Sequence, residues 1–317
     1  MAHHHHHHVD PDAGGARVFW AVMVNLGLTV AQVIGGVFSG SLALIADALH
    51  NFSDAISLII AFAARKIARR PADESMTFGY GRAEVVAALI NYTTLIVIGL
   101  YLAYEAVMRF FEPAEIDGWL VVIIAVVALL VDVVTAMLTF TLSKSSMNIR
   151  AAFLHNVADA LGSVAVIFAG TLILIYGWWW IDPVVTLMIA GYILWQAFAE
   201  IGGAIRVLML AAPEQLPTGQ VLDSLRAIEG VAGVHHLHYW QMQEHEAAIE
   251  AHLVIAPGRW DDADAIKAVA KSRMADAFSI VHVTLETECS RHACVNAQTI
   301  GHQSSDGDEH DDRESSH

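Results

Sequence analysis

Hydrophobic residues in this chain fall into long continuous runs. Each of the six runs is about 20 residues or longer, the length that a helix needs to cross ~30 Å of hydrocarbon. Glycine, serine and proline separate the runs, and Asp182-Pro183 is typical of a helix start, with Asp182 as the N-cap of the sixth run. The pattern predicts six transmembrane helices, over Val18–Phe38, Leu42–Ala64, Val85–Phe110, Trp119–Leu142, Ala151–Tyr176 and Val184–Leu210.

Basic residues are concentrated in two of the connections between the predicted spans. The connection between the second and third spans holds five, at positions 65, 66, 69, 70 and 82, and the connection between the fourth and fifth holds two, at 144 and 150. The opposite side holds Arg109 alone. Because loops rich in lysine and arginine stay in the cytoplasm, we expect both termini to be cytoplasmic.

After about residue 212 the pattern becomes that of a soluble domain. Helical periodicity over Thr218–Ile228 and Asp261–Phe278 is interspersed with strand-like segments at Val234–Gln243, Glu246–Ile255 and Ile280–Glu288. This order predicts a small α/β domain. We therefore expect an expression tag and linker over 1–16, a membrane domain over 17–211, a soluble domain over 212–288 and a disordered acidic tail with histidines over 289–317.

Composition supports a membrane protein with an acidic soluble part. The chain is 56% hydrophobic and 16% charged, against about 45–50% and 25% in soluble proteins. Its 17 basic and 33 acidic residues argue against nucleic acid as a partner. Two cysteines, Cys289 and Cys294, exclude a disulfide framework and are only a weak candidate for a further metal site.

Two of the predicted spans carry the same polar motif. Leu-His-Asn-x-x-Asp-Ala occurs at 49–55 and again at 154–160, with five identities in seven positions. Each copy places a histidine and an aspartate on one helix face, although an aspartate inside a bilayer costs roughly 2.5–3.5 kcal/mol. If the second and fifth spans face each other, two imidazoles and two carboxylates converge, a set that suits zinc. These residues are His50, Asp54, His155 and Asp159.

Other interpretations of the polar residues stay open. The two pairs could instead form interhelical hydrogen bonds or a closed structural zinc site. Asp47 lies three residues before His50, so it could orient the imidazole or serve helix packing. Asp132 could line an ion path or hydrogen-bond to a neighbouring helix.

With these motifs the chain resembles the cation diffusion facilitator (CDF) family of zinc transporters. The resemblance covers the six spans, Asp47–Asp54, His155–Asp159 and the soluble third. It implies a homodimer that exports cytosolic zinc in exchange for protons through a site between the second and fifth spans, with cadmium and cobalt as further cargo. The short connection after Leu142 lacks a His-rich insert, which favours a bacterial inner membrane. The resemblance also implies a ferredoxin-like fold for the soluble domain.

Histidines of the soluble domain form a second candidate metal site. His235, His252 and His282 come from three predicted strands or strand ends. The resemblance implies that matching positions bind cytosolic zinc, and Glu288 is placed to be a fourth ligand. The alternative is that these side chains are simply solvated.

Two other classes of function remain to be separated from metal export. A metal-dependent intramembrane hydrolase needs a zinc ion with an open position, and the sequence contains no His-Glu-x-x-His motif. A membrane-anchored metal sensor needs no duplicated His–Asp pair within its spans. A family member that prefers iron, manganese or cadmium is a third alternative, because nitrogen and oxygen donors suit several metals.

Overall fold

The computed structural model describes residues 11–301, except for 144–146, 244–245 and 295–296. Inside the helices, the side chains at 11–22, 25, 58 and 138–156 also lie outside the description. Most of the predicted tag and acidic tail therefore falls outside the described residues.

Six helices cover the six hydrophobic runs, which confirms the predicted helical membrane domain. In the part of the chain that is described, five helices are long and apolar enough to cross a membrane, and α1 has a shorter apolar segment, Leu26–Ser39. Large apolar side chains are exposed along them, as expected of helices that face lipid. The helices are α1 (Pro11–Ser39), α2 (Leu42–Ala68), α3 (Ala83–Phe111), α4 (Gly118–Ser143), α5 (Met147–Tyr176) and α6 (Ile181–Leu208).

Small side chains allow the membrane helices to approach closely. Ala43 of α2, Ala125 of α4 and Ala169 of α5 are fully buried in one apolar cluster. A β-carbon added at Gly170 would come within 2.9 Å of Val121 on α4. Close backbone approach at small residues is how helices associate in lipid, where apolar surface alone gives little driving force.

Asp182 caps a different helix from the one that the sequence predicts. Its carboxylate accepts hydrogen bonds from the backbone N–H of Leu42 (2.8 Å) and of Ala43 (3.3 Å) and from the hydroxyl of Ser41. The helix that contains Asp182, α6, already begins at Ile181. The first amides of a helix have no partner within it, so Asp182 satisfies those of α2 and fastens the start of α6 to it.

The soluble domain has the predicted order of elements. It contains α7 (Thr218–Arg226), β1 (Val231–Gln243), β2 (Glu246–Ile255), α8 (Ala263–Phe278) and β3 (His282–Cys289). The strand order is β1-β2-β3, with β1 antiparallel and β3 parallel to β2. One face of the sheet packs on the two helices through a core that includes Leu225, Ile249 and Met274.

The chain divides into two compact units, and the connection between α2 and α3 falls in the second. The first unit ends at Lys66 and resumes over Ala87–Gly202, whereas the second contains Ile67–Val86 and the chain from Gly203 onwards. Within the second unit, Arg82 Nε donates a hydrogen bond of 3.1 Å to the carbonyl oxygen of Met242. The basic α2–α3 connection is therefore packed with the sheet domain.

Candidate metal sites

The structure brings the polar faces of α2 and α5 together. His50 Nε2 lies 3.6 Å from Asp54 Oδ2 on the same helix and 3.4 Å from Asp159 Oδ1 on α5. One donor atom from each of these three residues lies within 4.8 Å of the other two. Donors that sit ~2.1 Å from a tetrahedral zinc ion are ~3.4 Å apart, so these separations match the edges of such a coordination shell.

His155, the fourth predicted ligand, belongs to α5, but its side chain lies outside the described residues. It precedes Asp159 by four residues in a continuous helix, and i and i+4 positions share one face. We call His50, Asp54, His155 and Asp159 the membrane donor set.

The described side chains of the membrane donor set are largely shielded from solvent. The side chain of His50 is 9% exposed and that of Asp159 is 11% exposed, whereas Asp54 is 24% exposed. Tyr192 of α6 places its ring edge-on to His50, with the ring centres 6.2 Å apart. Tyr192 is not predictable from the sequence as a neighbour of this site, because no motif distinguishes it from other tyrosines in apolar spans. Burial of this kind favours a cation that neutralises the carboxylates.

Asp47 and Asp132 are both buried, and their hydrogen bonds to described side chains come from neutral groups. Gln32 Nε2 of α1 donates a 2.6 Å hydrogen bond to Asp47 Oδ2, and the hydroxyl of Ser163 donates one of 2.9 Å to Asp132 Oδ2. Asp47 is thus turned towards α1, and its predicted role in orienting His50 stays a prediction. Asp132 makes the predicted hydrogen bond to a neighbouring helix, α5, and its predicted place on an ion path stays a prediction.

A second cluster of donors lies on the sheet of the soluble domain. His235 on β1 is paired with His252 on β2, and Glu288 on β3 is paired with Val254 of β2. Glu288 bridges the two histidines: its Oε1 lies 2.6 Å from His252 Nδ1 and its Oε2 lies 3.2 Å from His235 Nε2. Three of the four predicted residues of this site therefore converge.

His282 is the predicted member that does not reach this cluster. It is paired with Ala248 at the start of β3, whereas Glu288 lies at the strand's far end, about 20 Å away at ~3.3 Å per residue. Its ring packs edge-on against Phe78, with the centres 5.8 Å apart. The parallel register of β3 therefore places His282 apart from the other donors, and its role as a metal ligand stays a prediction.

Two further residues complete the cluster: His236, which is not among the predicted ligands, and Cys294, which the sequence offered only as a weak candidate for a separate site. His236 and Cys294 each offer a donor atom within 4.8 Å of donors from His235 and His252. In a regular strand His235 and His236 would point to opposite faces, but β1 is irregular between His235 and His238, and His236 has a φ of +50°. The bulge turns both imidazoles to one side. The cytoplasmic donor set is thus His235, His236, His252, Glu288 and Cys294.

Electrostatics hold Glu288 ionised within this set. Burial opposes its charge, but hydrogen bonds from His252 and from the amide and thiol of Cys294 outweigh burial and lower the pKa of Glu288. The same carboxylate, by accepting from the thiol, raises the pKa of Cys294. Nitrogen, carboxylate and sulfur donors together suit zinc or a softer divalent ion such as cadmium.

Comparison with known proteins identifies both parts of the chain. A family model for the cation efflux transmembrane domain matches residues 18–209, and one for the cation efflux protein cytoplasmic domain matches residues 213–289. The metal-bound C-terminal domain of the CzcD transporter from Cupriavidus metallidurans is 27% identical over 23% of this chain and 99% of that domain, with a TM-score of 0.22.

Full-length relatives agree with both matches. The cadmium, cobalt and zinc/H(+)-K(+) antiporter of Bacillus velezensis is 34% identical over 88% of this chain and 91% of its own length. The zinc transporter ZitB of Escherichia coli is 33% identical over 95% of this chain and 98% of its own. The metal cation efflux protein CzcD of Cupriavidus metallidurans is 33% identical over 86% and 85%. The chain therefore belongs to the cation efflux, or cation diffusion facilitator, family of multi-pass metal transporters, which are not enzymes.

Proposed function

We propose that this metal efflux protein is a zinc–proton antiporter that carries zinc out of the cytoplasm through the membrane donor set. The observation that carries the proposal is the convergence of His50 and Asp54 with Asp159 at separations that fit a tetrahedral ion. We propose His155, four residues before Asp159 on α5, as the fourth ligand. We take zinc as the first cargo, since a nitrogen and oxygen donor set suits it and one group of relatives is named for zinc alone. Cadmium and cobalt are proposed as further cargo, since another relative is named for all three metals.

Exchange for protons follows from the chemistry of the ligands. A ligand must be deprotonated to bind a metal ion, so metal and protons compete for the donors. Imidazole changes its charge near pH ~6.5, close to the pH on the two sides of a bacterial membrane. A site that is exposed in turn to each side then loads zinc from the cytoplasm and releases it against protons from outside.

We propose that the protein works as a homodimer in a bacterial inner membrane, with both termini in the cytoplasm. The basic α2–α3 connection supports this orientation, and the family model for the soluble domain is named for dimerisation. Divalent metal ions and membrane lipid are its expected partners.

The test is zinc transport by the full-length protein in vesicles with an imposed pH gradient. The double variant His50→Ala with Asp159→Ala should lose transport, since two of four ligands are removed. Thr171→Ala is the matched control, because that hydroxyl only bonds to the carbonyl of Ile167 in its own helix, and it should transport normally. Transport by the double variant, or wild-type transport that ignores the pH gradient, contradicts the proposal.

We further propose that the cytoplasmic donor set binds a zinc ion and senses cytosolic metal. The support is a bridging Glu288 between His235 and His252, with His236 and Cys294 beside them. The His50→Ala, Asp159→Ala protein should still bind zinc in equilibrium titrations, and adding His252→Ala should abolish this binding. Unchanged zinc binding after the third substitution contradicts this second role.

A further inference from the structure

Two buried carboxylates lie next to the membrane donor set without belonging to it. Asp47 of α2 is 3% exposed and Asp132 of α4 is 5% exposed. Consecutive residues of α5 contact both: a β-carbon added at Gly162 would lie 3.3 Å from Asp47 Oδ1, and the Ser163 hydroxyl bonds to Asp132. One turn of α5 therefore brings the two carboxylates into the same region of the membrane domain.

Neither carboxylate has a cationic partner among the described side chains. Gln32 is the hydrogen-bond donor to Asp47 and Ser163 is the donor to Asp132, and both donors are neutral. Among the described titratable groups, those that interact electrostatically with Asp47 are Asp132 of α4, His50 of α2 and Asp159 of α5. Asp159 also faces Asp132. Burying an ionised carboxylate beside another carboxylate costs more free energy than burying its neutral, protonated form.

Asp182 is a third buried aspartate of the same domain, and its hydrogen-bond donors differ from those of Asp47 and Asp132. It is fully buried, yet two backbone amides and the Ser41 hydroxyl donate to its oxygens at the N-terminus of α2. The helix N-terminus also favours a negative charge. Among the described residues, Asp47 and Asp132 each accept a hydrogen bond from one neutral side chain instead.

We propose that Asp47 and Asp132 form a proton-binding pair, distinct from the metal ligands, that carries the counter-ion of transport. This inference rests on the proposed antiport function. A divalent ion at His50, Asp54 and Asp159 favours the ionised form of the nearby pair, so its protons leave. When the ion departs, the pair takes up protons again. Two carboxylates hold up to two protons, which equals the charge of one divalent cation.

The first test needs no transport. Infrared difference spectra of the purified, metal-free protein should show the carbonyl band of protonated carboxylic acids. The band should weaken in both Asp47→Asn and Asp132→Asn. It should persist in the control Asp73→Asn, because Asp73 is exposed in the α2–α3 connection and hydrogen bonds from Tyr80, Ser75 and Met76 lower its pKa. Zinc should diminish it in the wild type. A band that is unchanged in both pair variants overturns the proposal.

The second test measures protons moved per zinc ion in vesicles. Asp47→Asn and Asp132→Asn should each lower this ratio, while Asp132→Glu, which keeps a titratable group, should preserve most of it. If the wild type shows no zinc-driven proton movement, the antiport proposal itself fails. If the wild type shows it and both Asn variants keep the wild-type ratio, only the proton-binding pair is refuted. Should an Asn variant fail to fold, Asp132→Glu decides: a ratio below half that of the wild type overturns the proposal, and the wild-type ratio supports it.

Discussion

The membrane and cytoplasmic donor sets are assembled by different kinds of secondary structure. His50 and Asp54 lie one turn apart on α2 and meet Asp159 of α5. The cytoplasmic set instead combines three strands, a bulge and the segment after β3. Helical spacing makes the first set visible in the sequence, whereas the second depends on strand register. The membrane set uses nitrogen and oxygen alone, and the cytoplasmic set adds sulfur.

After the loss of binding expected from His252→Ala, the largest effect within the cytoplasmic set is expected from Glu288→Gln. Glu288 touches both His235 and His252, so its loss should lower zinc affinity by about 10–100-fold. The measurement is a competition titration of protein that also carries His50→Ala and Asp159→Ala, which isolates the cytoplasmic site.

Glu286→Gln is the matched control for this substitution. Its carboxylate lies 3.4 Å from His252 Nε2, but the side chain is 67% exposed. An exposed ion pair contributes little, so the affinity should change much less than in Glu288→Gln. Equal losses in the two variants would mean that general negative charge, rather than the bridging geometry, holds the metal.

A smaller and metal-dependent effect is expected from Cys294→Ser. Because sulfur prefers soft ions, cadmium affinity of the cytoplasmic site should fall by about tenfold, and zinc affinity should fall less. Cys289→Ser is the control, since the Cys289 thiol is directed at His292. Equal cadmium affinity in the two serine variants would remove Cys294 from the donor set.

The smallest expected effect is on the stability of β1, at the bulge that turns His236 to the same side as His235. At a φ of +50°, alanine is strained by about 1 kcal/mol and glycine is not. His236→Ala and His236→Gly should therefore lose the same metal affinity, while the glycine variant holds β1 more stably. Amide hydrogen exchange of β1 measures the difference. Faster exchange in the glycine variant would show that the bulge is not under strain.

Secondary structure was largely predictable because it depends on local patterns. The six hydrophobic runs and the order of elements in the soluble domain follow from periodicity, and every membrane helix ends within a few residues of the expected position. The largest difference is at the start of the first span, because α1 begins at Pro11, seven residues before Val18. Asp182 shows where a local rule fails: it has the sequence of an N-cap, but it caps α2 because packing brings that helix's free amides to it.

The sites were predictable to different degrees for a physical reason. A histidine and an aspartate four residues apart share a helix face wherever the helix lies. The sequence therefore predicts the membrane donor set without the tertiary structure. In a sheet, two residues meet only if their strands are neighbours in the right register. The predicted site therefore included His282, which the parallel register of β3 places apart from the other donors, and assigned Cys294, which lies beyond the last strand, to a separate weak candidate site.

The sequence by itself determined that this chain has six membrane helices, a soluble α/β domain and a repeated His–Asp pair, because each depends on spacing along one segment. The tertiary structure decided which residues stand around those pairs and on the sheet. Only packing places Asp47 and Asp132 against one turn of α5, and only a bulge turns His236 beside His235. These arrangements join residues that are distant in sequence, so no local pattern records them.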